Sequence, residues 1–175
     1  MVAEAFTLLS PPTKSLLEGA GIVKPTPPQA EAIPLIANGE NVLVIAPTGS
    51  GKTEAALLPL IDRMIQEQGR QGISLVYITP LRALNRDLLK RLQVWSSKLG
   101  FTVEVRHGDT PAKDRRRMSA RPPDLLITTP ETLQAVLPGR RMRDHLRHVR
   151  AVVVDEIHEL AGDRRHMTRV FLHRL

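Results

Sequence analysis

Five short runs of aliphatic residues punctuate the chain, at residues 41–46, 74–79, 102–106, 124–128 and 151–155. They are rich in Val, Ile and Leu and as a set do not alternate apolar with polar, which predicts strands covered on both faces. Between them apolar residues recur at every third or fourth position. That period predicts helices over residues 29–37, 52–68 and 82–99, one opening at Pro130, a short basic one over 142–148, and a last one from about residue 159 onward. Pro11, Pro12, Pro25, Pro27 and Pro28 interrupt the N-terminal stretch and leave room for a short amphipathic helix over residues 15–20. Residues 108–123 read as a basic loop. Alternating strands and helices imply an α/β fold with a doubly wound, mainly parallel sheet. Residues 1–28 then form a Pro-rich lead-in and residues 29–175 one domain.

Leu84, Leu88, Leu92, Trp95 and Leu99 share one face at helical spacing. Packing therefore accounts for the single tryptophan better than base stacking does.

Composition narrows the partners. Lys and Arg outnumber Asp and Glu by 25 to 18, a net charge of +7 that favours an anionic partner, nucleic acid first. A basic surface kept for solubility is the plainer alternative. The lack of cysteine excludes a disulfide framework or thiolate metal site and fits a reducing cytosol. No apolar run nears the about 20 residues a membrane span needs, and the N-terminus carries no basic stretch of a secretory signal. A cytoplasmic location is expected, nucleoid-associated in a prokaryote.

The run at 41–46 leads into APTGSGKT, residues 46–53, which opens a helix. The phosphate-loop pattern G-x-x-x-x-G-K-[ST] is met except that Ala46 replaces the first glycine. Ala46, Pro47, Thr48, Gly49, Ser50, Gly51, Lys52 and Thr53 are thus candidate ATP-binding residues. Gly49 and Gly51 permit backbone conformations in which successive N–H groups and a helix N-terminus face an anion. Lys52 brings charge to the β- and γ-phosphates, and Thr53 a hydroxyl to Mg²⁺. The strand–loop–helix setting argues against a glycine-rich turn with a chance lysine.

In VVVDEIHEL, residues 152–160, a strand runs straight into Asp155 and Glu156. Burying an unpaired carboxylate is costly, so both acids need a partner or a role. Parallel strands deliver their C-terminal ends to one edge, where ligands bind. On this reading Asp155 joins Thr53 in holding Mg²⁺, and Glu156 orients or deprotonates the attacking water. An N-cap pair for the following helix accounts for one acid better than for two.

APTGSGKT together with DEIH resembles motifs I and II of superfamily 2 helicases of the DExH type. Gln29, in PTPPQAEAIP, resembles the glutamine that reads adenine in that group. YITPLRALNRDL (residues 77–88) resembles motif Ia, and VRHGDT (105–110) and TTPETL (128–133) resemble the neighbouring strand-contacting motifs. The wording of ITPLRALNRDL, RHGDTP, PPDLLITTPETL, LPGRRMRDHLR and VVVDEIHELAGDRR is similar to that of the large helicase-related (Lhr) family. The likeness runs from Thr26 to Arg165 and departs from the pattern at His166, where a small residue is expected.

The resemblance implies a RecA-like P-loop NTPase domain that hydrolyses ATP with Mg²⁺ while moving on single-stranded DNA, RNA being possible. It implies catalytic roles for Lys52, Asp155 and Glu156, and for His158 as a relay of nucleotide state. It also implies strand contacts at Pro80, Leu81, Arg82, Gly108, Thr129, Pro130 and Glu131. Arg82 would bring charge, Thr129 a hydroxyl, and the helix opening at Pro130 its free N–H groups. The sequence is expected to be a truncated first motor domain, because motif III, a second RecA-like domain with its arginine fingers, and a winged helix are not seen in it. That second domain is expected as a partner in cis, and residues 1–175 alone are expected to be inactive as a motor. Arg115, Arg116 and Arg117, and likewise Arg140, Arg141, Arg143 and Arg147, either touch DNA or form solvated faces. His107 has no partner at metal-ligand spacing and reads as structural. An RNA helicase fragment, a nucleotide-binding module without motor activity and another phosphate-loop enzyme such as a kinase are the alternatives. DEIH and TTPETL in register argue against the last.

Overall fold

Among the described residues four strands lie side by side and all run the same way: β1 (Leu75–Ile78), β2 (Val103–Arg106), β3 (Leu125–Thr128) and β4 (Ala151–Val154), in the order β2–β3–β1–β4. In the register, Thr128 is level with Arg106 and Ile78, and Ile78 with Val154. All four C-terminal ends therefore reach one edge. These are the coordinates of a computed structural model, which describes residues 5–81 and 86–158. Residues 1–4, 82–85 and 159–175 lie outside the described residues, and with them Arg82, Leu84, His166 and the helix expected from residue 159.

The central strands β1 and β3 are buried on both faces, and the edge strands β2 and β4 are half-buried. Val76, Ile78 and Leu126 join Ile73, Met118, Leu133, Val136 and Met142 in one cluster, with Val152 and Val154 packed against it. On the opposite face Leu75, Tyr77, Leu125 and Ile127 are no more than 1% exposed. This is the two-sided covering that the non-alternating runs predict. The strands enter the sheet past Asp124. Its Oδ1 accepts from Arg70 Nε at 3.0 Å, and its Oδ2 accepts from Thr102 N and Thr102 Oγ1, each at 2.8 Å.

Two compact units divide the chain, Met1–Gln68 with Lys98–Gly100, and Gly69–Ser97 with Phe101–Leu175. The first holds α1 (Pro11–Gly19), α2 (Pro27–Ala37) and α3 (Lys52–Gln66). Pro11 and Pro27 stand at the first helical positions, where a missing N–H costs nothing. That is why α1 is longer than the helix expected over 15–20. Asp62 on α3 accepts from Ser10 N at 3.0 Å, from Ser10 Oγ, and from Gln66 Nε2 at 2.9 Å, tying the start of α1 to α3.

The second unit holds the sheet, most of α4 (Arg86–Leu99), and α5 (Ala112–Ala120), α6 (Pro130–Val136) and α7 (Arg140–Leu146). Leu88, Leu92 and Trp95 are buried on α4, so Trp95 packs as expected.

Two expectations are overturned. Residues 41–46 form no strand and join no sheet ladder among the described residues. Val42 and Val44 pack on Ala32, Ile36 and Ala55 of α2 and α3, while Leu43 and Ile45 are 70% and 87% exposed. Burial of one face satisfies the apolar run without a ladder. Residues 108–123 are not a loop throughout, since 112–120 are helical α5. Its Ala, Lys, Arg and Met are good helix formers, and Met118 anchors it in the core at 1% exposure.

Candidate functional site

The loop before α3 turns on two glycines with positive φ, Gly49 at 79° and Gly51 at 88°. This left-handed conformation is open to glycine at little cost. Nothing surrounds the place where a Cβ on Gly49 would sit, so backbone conformation alone requires the glycine there. A Cβ on Gly51 would also collide with the Gln29 carboxamide. Gly51 is the N-cap of α3, whose first unpaired N–H groups follow directly. Lys52 Nζ donates to Ala46 O at 2.6 Å and Pro47 O at 3.1 Å, and Ser50 Oγ donates to Pro47 O at 2.7 Å. The lysine ammonium is thus gathered at the loop, and Thr53 stands half-buried one residue on. The set fits a polyphosphate. Glycines hold the curve, a helix start offers N–H groups, and the cation's present acceptors are neutral carbonyls, weaker than a phosphate oxygen.

Gln29 is 4% exposed and braces this loop. Its Oε1 accepts from Thr26 N at 3.1 Å and its Nε2 donates to Gly51 O at 3.3 Å. A carboxamide has two N–H groups and two lone pairs, so each end keeps capacity for a further partner.

In the second unit Asp155 follows β4 and donates its N–H to Ile78 O at 2.8 Å. Its Oδ2 accepts from the Tyr77 hydroxyl, and its Oδ1 accepts from Glu156 N at 2.9 Å. Glu156 has φ of 49°, the one positive φ outside glycine among the described residues. Such backbone is held only where the surroundings enforce it, and it clusters at functional sites. His158 Nδ1 is 3.4 Å from Glu156 Oε2, on an imidazole that is largely exposed. Sequence reasoning passed over Tyr77. The available signal was a hydroxyl-tipped residue in an aliphatic run. Its register partner Val153 puts it on the same strand face as Asp155, two residues on.

The sheet edge collects most of the expected strand contacts. Pro80 and an exposed Leu81 follow β1. Gly108 lies exposed in the turn after β2, where Thr110 Oγ1 accepts from His107 N at 2.8 Å. Thr129, Pro130 and Glu131 follow β3. Thr129 caps α6, its Oγ1 accepting from Thr132 N at 3.3 Å, and it is 6% exposed. Its hydroxyl is therefore engaged in the fold, a use the sequence reading did not include. The arginine clusters differ internally. Arg117 pairs with Glu104 at 2.9 Å and Asp114 at 3.5 Å, and Arg147 with Asp144 at 3.7 Å.

A glycine loop of this geometry opening a helix in one unit, and in the other a parallel sheet whose strand β4 runs into Asp155 and Glu156, are the features of a helicase-type ATP-binding domain. The chain belongs to the DEAD/DEAH box helicase family, whose model matches residues 26–175. Within that family it resembles the Lhr helicases. It is 42% identical over 152 residues to the ATP-dependent helicase Lhr-Core of Sulfolobus acidocaldarius, covering 80% of this chain and 17% of that protein. It is 44% identical over 155 residues to the Lhr helicase/probable uracil glycosylase of Mycolicibacterium smegmatis, covering 81% of this chain and 10% of that one. The solved structure of Mycobacterium smegmatis helicase Lhr bound to ssDNA and AMP-PNP superposes with a TM-score of 0.83 at 41% identity, over 93% of this chain and 22% of that one. The chain thus spans 10% to 17% of the length of these two curated relatives. The RecA-like fold agrees with the expectation from the sequence. Among the described residues no helix is long and apolar enough to cross a membrane.

Proposed function

We propose that residues 29–175 are the ATP-binding motor domain of a helicase that couples ATP hydrolysis to movement along single-stranded DNA. The observation that carries this reading is the loop at Gly49 and Gly51, with positive φ at both glycines and Lys52 at the helix start behind it. The ssDNA and AMP-PNP named for the M. smegmatis relative support both halves of the reading and favour DNA over RNA.

Bound ATP supplies the phosphoanhydride whose hydrolysis drives the motor. Ala46 to Thr53 cradle its phosphates, with Lys52 neutralising charge at the β- and γ-groups, and Gln29 faces the adenine. Thr53 and Asp155 would hold Mg²⁺, which would neutralise charge on the phosphates. Glu156 orients and deprotonates the attacking water, and His158 reports the state of the site to neighbouring segments. Pro80, Leu81, Arg82, Gly108, Thr129, Pro130 and Glu131 line the nucleic acid track. A second RecA-like domain in cis supplies the arginines that stabilise the transition state, a contribution of about 10³–10⁵ in rate in related enzymes.

The test is Lys52→Ala in the full-length protein, assayed for phosphate release with and without single-stranded DNA. Hydrolysis should fall to background while far-UV circular dichroism and the melting temperature stay unchanged. Near-normal turnover would overturn the reading.

A further inference from the structure

Thr79 follows β1 at the C-terminal edge of the sheet, and the ladder continues past it on both sides. Its N–H donates to Thr128 O at 3.0 Å, and the Asp155 N–H donates to Ile78 O at 2.8 Å. Ile78 is level with Thr128 and with Val154. One residue further on, Thr129, Thr79 and Asp155 therefore form a row across three neighbouring chain segments. Side chains alternate along a strand, so all three take the sheet face of Tyr77.

Thr79 is 1% exposed. Its hydroxyl is shielded from solvent and has no hydrogen-bond partner among the described residues. Leaving a buried hydroxyl unpaired is costly, whereas an apolar group of the same shape carries no such penalty. A threonine here calls for a use of its O–H.

Its two neighbours in the row differ in what they can accept. The Thr129 hydroxyl is turned to α6, donating to Thr132 Oγ1 at 3.0 Å and accepting from Thr132 N at 3.3 Å. Asp155 is an acceptor with capacity to spare. A carboxylate offers about four lone-pair positions. Tyr77 fills one on Oδ2, and the Glu156 N–H fills one on Oδ1. A charged acceptor also makes the stronger bond. Neighbouring strands lie about 4.8 Å apart, a gap that a threonine hydroxyl and an aspartate carboxylate can close by a change of rotamer.

We infer that Thr79 is a positioning residue for the metal-binding acid, its hydroxyl donating to Asp155 when that carboxylate takes up a divalent cation. This deepens, and rests on, the reading of Asp155 as a Mg²⁺ ligand in an ATP-driven motor. Tyr77, Thr79 and the Glu156 N–H then each fill one position and leave one lone pair for the cation. Three donors from the protein allow the carboxylate a single orientation. Thr79 thus serves the nucleotide, although the next residues along the chain, Pro80 and Leu81, are assigned above to the nucleic acid track.

The experiment compares Thr79→Val and Thr79→Ser with the unaltered full-length protein. It measures the urea midpoint, and the binding of a fluorescent non-hydrolysable ATP analogue without metal and across a Mg²⁺ titration. Thr79→Val keeps the shape and removes only the hydroxyl. Its urea midpoint should hold or rise, and metal-free nucleotide affinity should be unchanged. The Mg²⁺ concentration that gives half the metal-dependent gain in affinity should rise about tenfold, the scale of one hydrogen bond to a charged group. Thr79→Ser keeps the hydroxyl and should bring that concentration back to the unaltered value. An unaltered Mg²⁺ requirement in Thr79→Val overturns the role. A raised requirement that Thr79→Ser does not restore assigns the effect to the lost packing and overturns it as well. If the unaltered protein binds the analogue but gains no affinity with Mg²⁺, the metal reading of Asp155 falls and this role with it. Failure of the unaltered protein to bind the analogue at all overturns the motor reading itself.

Discussion

The hydroxyl of Tyr77, 1% exposed in β1, donates to one oxygen of Asp155 while the Glu156 N–H holds the other at 2.9 Å. Both carboxylate oxygens are thus oriented by the protein itself. Tyr77→Phe keeps the ring and removes the bond. A hydrogen bond to a charged acceptor contributes about 1.5–3 kcal/mol, so the carboxylate should lose its fixed orientation while the sheet survives. The expected result is a roughly tenfold fall in ATP hydrolysis and a higher Mg²⁺ concentration for half-maximal rate. Metal-free nucleotide binding should be unchanged. A Mg²⁺ titration checks this, and an unaltered Mg²⁺ requirement would mean that Tyr77 only packs.

Glu156→Gln is nearly isosteric and can still touch water, but the amide cannot take a proton. Binding of ATP with Mg²⁺ and of single-stranded DNA should persist while hydrolysis drops by about a hundredfold. Equilibrium binding and single-turnover hydrolysis, measured side by side, separate the two. Loss of ATP binding as well would make Glu156 a structural or metal-ligating residue.

The two loop glycines should respond unequally to alanine. Gly49→Ala meets open space and incurs only the backbone penalty of positive φ, about 1 kcal/mol. Gly51→Ala carries that penalty and a collision with Gln29, so it should lose more stability and more ATP affinity. Denaturant midpoints and nucleotide titrations of the two variants test the ranking. Equal losses would show that the Gln29 brace is dispensable.

Asp124→Ala removes the acceptor shared by Arg70 and Thr102 at the entrance to the sheet. A partly buried guanidinium loses one of its partners and the Thr102 N–H loses its acceptor, a cost of about 2–4 kcal/mol. The unfolding free energy from a urea titration should fall by that amount, with a correspondingly lower midpoint. Asp124→Asn, which keeps acceptor capacity, should recover part of it.

Some of this was legible in the sequence because the physics is local. Residues 74–79 and 124–128 read as strands because burial on both faces leaves continuous aliphatic runs, and 151–155 because three valines in a row favour the strand. Gly49, Gly51, Lys52 and the acids after β4 stood out because their types and spacing are those that phosphate and metal chemistry would use, and the structure adds the positive φ of both glycines. The same logic misled at 41–46. Apolar composition reports a need for burial, which Val42 and Val44 satisfy, but says nothing about whether a neighbouring strand is there to pair. It misled again over 112–120, where Pro111 and the arginine run resemble a loop. That helix is secured by Met118 in the core and by Arg117 reaching Glu104, contacts with no local signature. The bonds from Tyr77 to Asp155 and from Gln29 to Gly51 span 78 and 22 residues. Pairings across such distances exist only once the chain has folded.

The all-parallel register has a consequence for how the protein is made. Neither neighbour of β1 is joined to it by a hairpin, since β3 and β4 both come later in the sequence. With roughly 50 residues between Ile78 and Leu125, a ribosome adding about 5–20 residues per second leaves LVYI unpaired for some seconds after it emerges. During that interval the future centre of the sheet, Tyr77 included, is an adhesive segment in the nascent chain. Expression yield should then depend on chaperone supply and on the speed of translation through residues 79–128, more than on the stability of the finished domain.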